Sequence, residues 1–369
     1  MTYHQRARIT GDQRDRFREG ATRALLARSG MPSGEQNEYT GMSLMALAQQ
    51  AVMLATGKAS TNPASDALGL SMAAGGMQST SDFVNILANV ANKSMLKGYN
   101  EVEETFHLWT ARGELQDFRP ASRIDLSSFP SLSEVPEGAE YKYAQLSGRS
   151  ETIQLATYGR MFAITRHAII NDDIGVFTRI PNRMGRAARR TIGNLVYAIL
   201  TGNPALSDGI PLFHADHGNL AGSGGVPSVP ALDAARSSMA VQTSAEEAGI
   251  FGTRPRFLLV PVGLQGTASV VVGSEFDHSA ATLGKPNTVR GMAEVISDPR
   301  LDLASASAWY LAADPNSTET IEVAYLGGQD TPTIEQQPGW ASDGVEFKVR
   351  IDAGVKAMGW RGLYRNPGE

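Results

Sequence analysis

His214, Asp216 and His217 are the residues whose types and spacing come nearest to those of a catalytic or metal site. Imidazole and carboxylate groups can hold a divalent metal ion. Their spacings of two and one residue, however, fit no common metal-binding motif, and no third strong ligand group lies nearby. A turn in which His and Asp side chains bond to the backbone explains the pattern better. The sequence therefore predicts no metal and no cofactor, with a metal-dependent α/β enzyme as the weaker alternative.

Other chemical motifs are equally weak. Residues 222–225 form a Gly-Ser-Gly-Gly run that lacks the Lys-Ser/Thr of a phosphate-binding loop. The chain has no Gly-x-Ser-x-Gly elbow, so a serine hydrolase has no site for its nucleophile. Glu103 with Glu104, and Glu246 with Glu247, are interpreted as solvated helix faces rather than as paired catalytic acids. We therefore predict no catalytic residue and no enzymatic activity.

The composition sets the broad class. The chain has 369 residues, 42% hydrophobic and 19% charged, which is enough to bury a large core in two or three lobes. It contains no cysteine, so disulfides and thiol catalysis are excluded and intracellular synthesis is favoured. The net charge of -5 argues against a dedicated nucleic-acid binder. The most apolar run, residues 257–273, is interrupted by Pro261 and Gln265, so we predict no membrane span.

The first 80 residues differ in character from the rest. Residues 1–30 carry seven arginines against three acidic residues. Phe17 and Leu25 recur there at helical spacing with small apolar residues, so we predict a short basic helix. Residues 31–80 are rich in Gly, Ser, Thr and Asn. A helix near residues 44–55, capped by Ser43, is predicted within them, and the remainder is predicted to be a linker.

A polar, turn-rich segment between Phe118 and Arg149 has no helical period. Structureless loops of this length are uncommon inside a compact domain, so we favour a two-stranded arm that projects from the body. Such an arm is not stable alone in water and must lie on a neighbouring molecule. Strands are predicted to follow at residues 152–157 and 161–165, with Gly159 as a bulge between them.

A long helical pattern comes next. Asn171 is predicted to open it, with Asp172 and Asp173 in its first turn. Pro181 costs about 3 kcal/mol inside a helix, so we predict a short turn over residues 172–179, a kink, and then a long helix to about Thr201. The predicted apolar face comprises Val176, Ile180, Met184, Ala187, Ala188, Thr191, Leu195, Ala198 and Ile199.

Residues 206–330 are predicted to form a separate α/β lobe. Pro230 opens a helix in it, whose apolar residues are Leu232, Ala235, Met239 and Val241. Strands are predicted at residues 256–260, 289–296, 309–312 and 321–326. Unbroken alternation predicts one more strand at residues 345–352.

Four separate blocks of the sequence carry a family resemblance: residues 81–93, 99–109, 150–219 and 349–362. In order and spacing they resemble the major capsid subunit of tailed bacteriophages, in the Mu-like branch where prohead protease and capsid protein can be made as one fused chain. The resemblance covers most of the chain from about Asp82 onward. It implies an α+β protein of the Hong Kong 97-type capsid fold, with an N-terminal arm, an extended β-hairpin loop, a peripheral domain with a long spine helix, and an axial α/β domain.

The resemblance also implies domain boundaries. They are residues 1–80 as an N-terminal basic helix and linker or arm, 81–118 as the passage from this arm to the peripheral domain, 119–160 as the extended loop, 161–205 as the peripheral domain with the spine helix, 206–326 as the axial domain, and 327–369 as the completion of the peripheral domain. Residues 1–75 are expected to be disordered, inward-facing or proteolytically removed in mature particles.

The implied function is a structural one. By resemblance, the chain is expected to self-assemble into the icosahedral shell that encloses phage DNA, with an encapsulin-like compartment shell as the alternative. Expected partners are copies of itself in pentamers and hexamers, a scaffold or the prohead protease, the portal protein, and packaged DNA through weak non-specific contacts. The expected location is the virion capsid, assembled in the host bacterial cytoplasm without membrane contact.

Candidates for contacts between subunits lie first in the arm: Arg123, Phe129, Tyr141, Lys142 and Tyr143. Some capsids of this fold carry a crosslinking lysine in the arm. Here neither a partner asparagine nor an assisting carboxylate can be identified, so Lys142 is interpreted as a surface lysine. Because the arm must pack on another chain, deletion of residues 124–148 is expected to leave capsomers or monomers that do not close into shells.

The second set of candidates is a row of arginines on the long helix. Arg179, Arg183, Arg186 and Arg190 follow at spacings of four, three and four residues, so they share one helix face. Two interpretations are weighed evenly. The row pairs with carboxylates of the same or a neighbouring subunit, or it faces inward and meets a scaffold or packaged DNA.

Overall fold

The computed structural model describes residues 3–68, 81–124, 150–242, 252–277, 284–338 and 344–368. The chain divides into two compact units. Unit 1 comprises Met1–Glu103, Thr157–Arg190 and Asp330–Asp352, and unit 2 comprises Glu104–Ala156, Thr191–Gln329 and Ala353–Glu369. Helices and strands both contribute, which confirms the predicted mixed α and β class.

The described helices are α1 (Tyr3–Arg28), α2 (Leu44–Thr56), α3 (Pro63–Ala67), α4 (Ser81–Glu101), α5 (Phe106–Trp109), α6 (Arg166–Ile170), α7 (Ile174–Gly202), α8 (Val229–Ala240), α9 (Gln265–Gly273) and α10 (Pro299–Ala304). The described strands are β1 (Ala111–Leu115), β2 (Ala121–Ile124), β3 (Ser150–Ile153), β4 (Ala156–Thr165), β5 (Pro255–Val260), β6 (Glu294–Ser297), β7 (Trp309–Ala313), β8 (Ile321–Leu326), β9 (Thr333–Pro338), β10 (Gly344–Ala357) and β11 (Leu363–Asn366).

Unit 1 buries one apolar cluster between helices and strands. Phe17 and Leu25 of α1 and Phe83 of α4 belong to it, and each is nearly fully buried. Phe347 of β10 joins the cluster from the sheet and stacks on Phe162 of β4, with 5.0 Å between ring centroids. Association of these elements therefore depends on residues far apart in the sequence, whose burial stabilises helices that would be marginal alone.

The predicted linker over residues 31–80 is wrong for the part that the structure describes. Met31 and Leu68 are buried in the cluster of unit 1, together with the apolar face of α2. The predicted cap of α2 is confirmed, because the Ser43 side chain accepts a hydrogen bond from the Ala46 N–H. A few apolar residues among many small and polar ones are enough to bury this segment, and composition alone does not show it.

Helix α1 is longer than predicted, at 26 residues. Ala21 and Ala24 are fully buried beside the larger residues of the same face, so the predicted apolar spacing is confirmed. Of the three alternatives expected for residues 1–75, disorder does not hold for residues 3–68 in the subunit, and the inward-facing location stays a prediction; residues 1–2 and 69–80 lie outside the described part of the chain. Removal of this segment in mature particles stays a prediction.

The helix predicted to open at Asn171 begins three residues later. Asn171 is the C-terminal cap of α6, and Asp172 adopts a left-handed φ of 53°. From that position the Asp172 carboxylate accepts a hydrogen bond from the Leu44 N–H at 2.7 Å and pairs with Arg28 at 2.5 Å. Asp172 therefore links α1 to the start of α2 instead of opening α7.

Pro181 does not interrupt α7, contrary to the predicted kink. A single helix of 29 residues contains the proline, which is buried. On the same turn the Thr178 carbonyl accepts a hydrogen bond from the Ser94 hydroxyl of α4 at 2.5 Å. Packing against α4 thus supports the helix where the missing proline N–H weakens it.

The buried face of α7 is rotated from the predicted one. Ala187 and Ala198 of the predicted face are exposed, and its other members are only half-buried. Phe177, Ile192 and Val196 are nearly fully buried instead. The two faces differ by one residue, about 100° around the helix axis. The observed face also contains a proline and glycines, which add nothing to an apolar pattern, so the pattern pointed to the wrong side.

Two glycines let α4 and α7 approach closely. A Cβ at Gly98 would lie 2.1 Å from the Asn182 carbonyl oxygen, and a Cβ at Gly185 would lie 2.0 Å from that of Met95. Both distances are far inside van der Waals contact, so any side chain would force the helices apart. The position of α7 in unit 1 therefore depends on these two glycines.

Strand β4 runs continuously through Gly159, where a bulge or twist between two separate strands was predicted. The break between strands lies earlier, at Gln154 and Leu155. A Cβ at Gly159 would lie 2.8 Å from the Val349 carbonyl oxygen of β10. A close approach of neighbouring backbones thus requires glycine at this position.

Strand β10 confirms the alternation predicted for residues 345–352. Val345, Phe347, Val349 and Ile351 are buried, and charged residues alternate with them. Within unit 1, β10 pairs with β9 in antiparallel register and also with β4. Its alternation therefore places one apolar row on the core of this unit.

Unit 2 contains a four-stranded sheet in the order β11-β7-β5-β6. Leu258 of β5 and Leu311 of β7 are fully buried in its core with residues of α8 and α9. The predicted helix α8 is confirmed, with Leu232 and Met239 fully buried. Val241, predicted to lie on the same face, follows the end of the helix and is exposed.

Two strands of the predicted lobe differ in the structure. The strand expected at residues 289–296 is limited to β6. Strand β8 is confirmed, but it pairs with β1 in parallel and with the Ala353–Ala357 part of β10 in antiparallel register, not with β7. Instead, β11 pairs with β7. Contacts therefore place the C-terminal strand in unit 2, whereas residues 327–369 were expected to complete the peripheral domain.

Candidate assembly interface

The arginine row predicted from sequence is exposed along α7. All four members, Arg179, Arg183, Arg186 and Arg190, lie on the solvent side of the helix. Their common face follows from helix geometry, because residues three and four apart are surface neighbours. The opposite side of the same part of α7 carries the glycine contact with α4, so the row faces away from that contact.

Only part of the row is neutralised within the subunit. Arg186 pairs with Glu101 of α4 at 2.5 Å, and this contact holds the pKa of the Glu101 carboxyl below its usual range. Arg179, Arg183 and Arg190 have no hydrogen-bond or ion-pair partner among the described residues. Pairing within the subunit thus explains Arg186, and three guanidinium groups are left available to another molecule.

The basic helix α1 contrasts with this row. Arg14 pairs with Asp82 at 2.7 Å, Arg28 pairs with Asp172, and Arg23 contacts both Glu19 and Glu35. These side chains are neutralised by carboxylates of their own unit. The excess of arginine in residues 1–30 therefore does not by itself make a binding surface.

Arg123, a predicted contact residue, is engaged inside its own unit. Its guanidinium lies 2.8 Å from the Glu322 carboxylate of β8 and donates a second hydrogen bond to the Glu114 carbonyl oxygen. Glu322 is largely buried, and room for it exists because β1 has a glycine at position 113, where a Cβ would collide with the carboxylate. Arg123 thus fixes the base of the predicted arm.

The base of that arm is a short antiparallel ladder. Strands β2 and β3 pair from Ala121 opposite Ile153 to Ile124 opposite Ser150. The other candidates from the arm, Phe129, Tyr141, Lys142 and Tyr143, lie outside the described residues. The ladder brings both ends of the intervening segment to one place, as a two-stranded projection requires.

The histidine segment forms the turn that the sequence predicted. The His214 ring accepts a hydrogen bond from the Asp216 N–H and caps a short 3-10 helix. His217 is buried, stacks on Trp360 with 4.2 Å between ring centroids, and contacts Asp208 at 3.1 Å. Each side chain is thus occupied by its neighbours, in keeping with a structural role.

No metal-binding group emerges from the described ranges. Within them, no three His, Cys, Asp or Glu residues are placed so that they could hold a metal ion. A search of the same ranges found no helix long and apolar enough to cross a membrane.

The most strongly charged buried site was missed by the sequence analysis. Glu104, predicted to be a solvated acid, is 5% exposed and forms two hydrogen bonds of 2.8 and 2.9 Å with the Arg300 guanidinium. Arg300 also pairs with Asp298 at 3.0 Å and donates to the Asn194 side chain. Glu104 and Arg300 are 196 positions apart, so no local pattern could have revealed their pairing.

Electrostatics hold this buried cluster in its charged form. Burial alone lowers the pKa of Arg300, but the hydrogen bonds and the charge of Glu104 outweigh it and the pKa is raised. Tyr197 of α7 lies beside the guanidinium, and burial raises the pKa of its phenol. The cluster acts as a buried tie within unit 2.

Comparisons with known proteins define the class. The family model described as phage capsid protein matches residues 149–366, which span β3 to β11. The chain belongs to this phage capsid protein family, because the match covers more than half of its length. No curated protein sequence matches significantly. The chain is a structural major capsid protein, which confirms the resemblance to phage capsid subunits.

Solved structures show more distant likeness. The procapsid protein of bacteriophage JBD30 is 16% identical, with a TM-score of 0.45 over 78% of this chain and 75% of that chain. The capsid protein of cyanophage P-SCSP1u is 12% identical, with a TM-score of 0.49 over 72% and 88%. The SrpI encapsulin of Synechococcus elongatus is 12% identical, with a TM-score of 0.42 over 72% and 86%. These values are low, so the assignment depends on the family match.

Proposed function

We propose that the chain is the major capsid subunit of a tailed bacteriophage and closes into an icosahedral shell as pentamers and hexamers. The family match over residues 149–366 carries this proposal. The chemistry is subunit association, and no catalytic turnover, cofactor or metal is required. The fold that this function calls for is the Hong Kong 97 type, with residues 119–160 as the extended loop and α7 as the spine helix.

The surface of α7 supports an association role. Three exposed guanidinium groups without a partner among the described residues are available to carboxylates of a neighbour or a scaffold. Partly desolvated pairs between subunits contribute more than fully exposed pairs, whose typical value is about 0–1 kcal/mol. The row can also contact packaged DNA, weakly and without sequence preference, since phosphate contacts do not read bases.

The remaining domain roles follow from the same proposal. Residues 206–326 would form the axial domain, while residues 161–205 and 327–352 would form the peripheral domain. Residues 353–369 would join the axial domain, because β11 pairs with β7. Residues 1–80 and 81–118 would form the N-terminal arm and its passage into the peripheral domain.

The partners proposed from the family resemblance are a scaffold or prohead protease and the portal protein, with assembly in the host bacterial cytoplasm. The Mu-like branch, in which protease and capsid protein share one precursor, is supported by the four sequence blocks that resemble it. Copies of this one chain close the shell, and the other partners act on that shell.

Electron microscopy of the purified chain, expressed alone and together with its phage's scaffold or protease, tests the proposal. We expect closed particles of uniform diameter in at least one of the two preparations. A protein that stays monomeric in both would contradict the proposal. Uniform particles that enclose a dedicated cargo protein, and that form without any phage partner, would favour the encapsulin-like alternative.

A further inference from the structure

Strand β4 forms an open edge of its sheet. Its neighbour on one side is β10, and no other described strand pairs with it. In a ladder, every second residue directs its backbone N–H and C=O toward one side. Among the described residues, no backbone group bonds to the outward side of β4. A row of unsatisfied donors and acceptors is therefore available along ten residues.

The sequence of β4 gives this edge little protection. Natural proteins guard exposed edges with short strands, prolines, lysines or bulges, because an open ladder pairs with any strand that approaches. β4 is ten residues long, contains no proline or lysine, and carries one charge, on Arg160. An edge of this kind on a subunit that stayed alone would promote aggregation.

Charged side chains are unevenly distributed over the solvent-facing side of the same sheet. On β9 and β10, Glu335 forms ion pairs with Lys348 at 2.5 Å and with Arg350 at 3.0 Å. The exposed row of β4 is uncharged and includes Met161, which is 58% exposed, and Ala163. Charged side chains thus lie on β9 and β10, up to Asp352, which accepts a hydrogen bond from the Thr157 hydroxyl of β4 at 2.5 Å, whereas the exposed row of β4 itself is uncharged.

Strand β9, which also pairs with β10, lies beside a helix of unit 1. Helix α4 lies against β9, and the Gln336 side chain of β9 donates a hydrogen bond to Asn85 of α4 at 3.1 Å. Helix α4 therefore lies beside β9, whereas no described strand lies on the outward side of β4.

We propose that the β4 edge is completed in the assembled shell by a strand from a second copy of this chain. The inference rests on the proposed shell function, since that function brings identical subunits together in large number. A backbone ladder accepts any extended strand, and the uncharged row of β4 accepts an uncharged row of the incoming strand. Pairing in the shell would satisfy the open donors and acceptors and cover Met161.

Hydrogen exchange measured on wild-type protein tests this pairing. Particles and unassembled subunits are separated by size, and amide exchange over residues 157–165 is compared between them. We expect the amides that face β10 to be protected in both states. The alternate amides should exchange at least about tenfold more slowly in particles than in subunits, with a period of two residues.

A charge placed on the edge tests the same surface independently. Ala163→Lys introduces an edge lysine of the kind that blocks strand addition, and we expect the particle yield to fall by about tenfold or more. The matched control is Gln337→Lys, which adds the same charge to the exposed face of β9 beside Glu346. The control should assemble as the wild type does, and both variants should keep the wild-type circular dichroism.

The outcomes separate this inference from the proposed function. If the wild type forms no particles with or without its phage partners, the shell function itself fails. If particles form but the alternate amides of β4 exchange equally fast in both states, the edge pairing is refuted. Protection of those amides already in the isolated subunit would show that another part of the same chain covers the edge, which also refutes the pairing.

Discussion

Arginine residues behave oppositely in two regions of this molecule. In unit 2, Arg300 is largely buried and contacts two carboxylates, Glu104 and Asp298. On α7, Arg183 and Arg190 are exposed and have no partner among the described residues. A buried guanidinium is tolerated only with matched carboxylates, because desolvation is costly. An exposed one remains hydrated and costs nothing to leave unpaired.

The difference separates residues that hold the subunit together from residues available for association. Removing a partner from the buried cluster leaves an uncompensated charge and weakens folding. Removing a charge from the exposed arginine row changes only the surface charge that a neighbouring molecule contacts, and leaves folding unaffected. Arg14 and Arg28 of α1 belong with the first group, although their side chains are partly exposed, since they are paired within unit 1.

The largest expected effect comes from removing residues 1–68. This segment supplies more than half of the buried residues in the cluster of unit 1, so the rest of that unit should not fold without it. We expect rapid hydrogen exchange throughout α4 in the truncated chain. Deletion of residues 1–12 alone is the control, because the described core begins at Phe17. A truncated chain with wild-type protection of α4 would show that the segment is a removable arm after all.

Arg300→Ala is expected to have the next largest effect. Glu104 would be left buried without its guanidinium partner, and breaking a buried pair in this way costs about 3–5 kcal/mol of unfolding free energy. Denaturant-induced unfolding measures this loss of free energy, in the transition in which unit 2 unfolds. Arg183→Ala is the matched control and should change stability by less than about 0.5 kcal/mol. Equal effects of the two substitutions would remove the contrast between the regions.

The double substitution Arg183→Glu with Arg190→Glu should affect assembly and not folding. Reversed charges would meet like charges on any carboxylate-bearing neighbour, and the loss repeats at every copy in a shell. We expect wild-type circular dichroism and melting temperature, with closed particles absent in electron micrographs. An unfolded double variant would mean that the row stabilises the subunit, and normal particles would mean that it is merely solvated.

Arg186→Ala should give the smallest change. Its pair with Glu101 is partly exposed, and exposed pairs contribute about 0–1 kcal/mol. The expected drop in melting temperature is correspondingly small, and it should shrink further in high salt because screening weakens the pair. A loss as large as that of Arg300→Ala would show that Arg186 belongs to the folding cluster.

Several elements could be predicted because their signals are local. Ser43 caps α2, Pro230 lies in the first turn of α8, and residues 345–352 alternate as one strand. Caps and alternation depend on a few neighbouring residues, so the sequence contains the whole signal. The histidine turn was correctly interpreted for the same reason, since the hydrogen bonds to the backbone N–H groups of His214 and Asp216 come from residues within five positions.

The predictions that failed all concern features that depend on contacts between residues distant in the sequence. The kink expected at Pro181 is absent because α4 packs against that turn, and the buried face of α7 includes Gly185, which the approach of α4 explains. Composition suggested a linker at residues 31–80, yet Met31 and Leu68 are buried by partners elsewhere in unit 1. Propensity is a weak prior, and tertiary packing overrides it at these positions.

By itself, the sequence determined the mixed class, most strands, the arginine row and the resemblance to phage capsid subunits. These features follow from the periodicity of apolar and charged residues, from helix caps and from the order of the four sequence blocks. Only the tertiary structure decided that Glu104 pairs with Arg300 and, within the described residues, that Arg186 alone of its row is neutralised and that β4 has an open edge. Each of these depends on which residues distant in sequence become neighbours, and burial together with backbone pairing sets that only when the whole chain is folded.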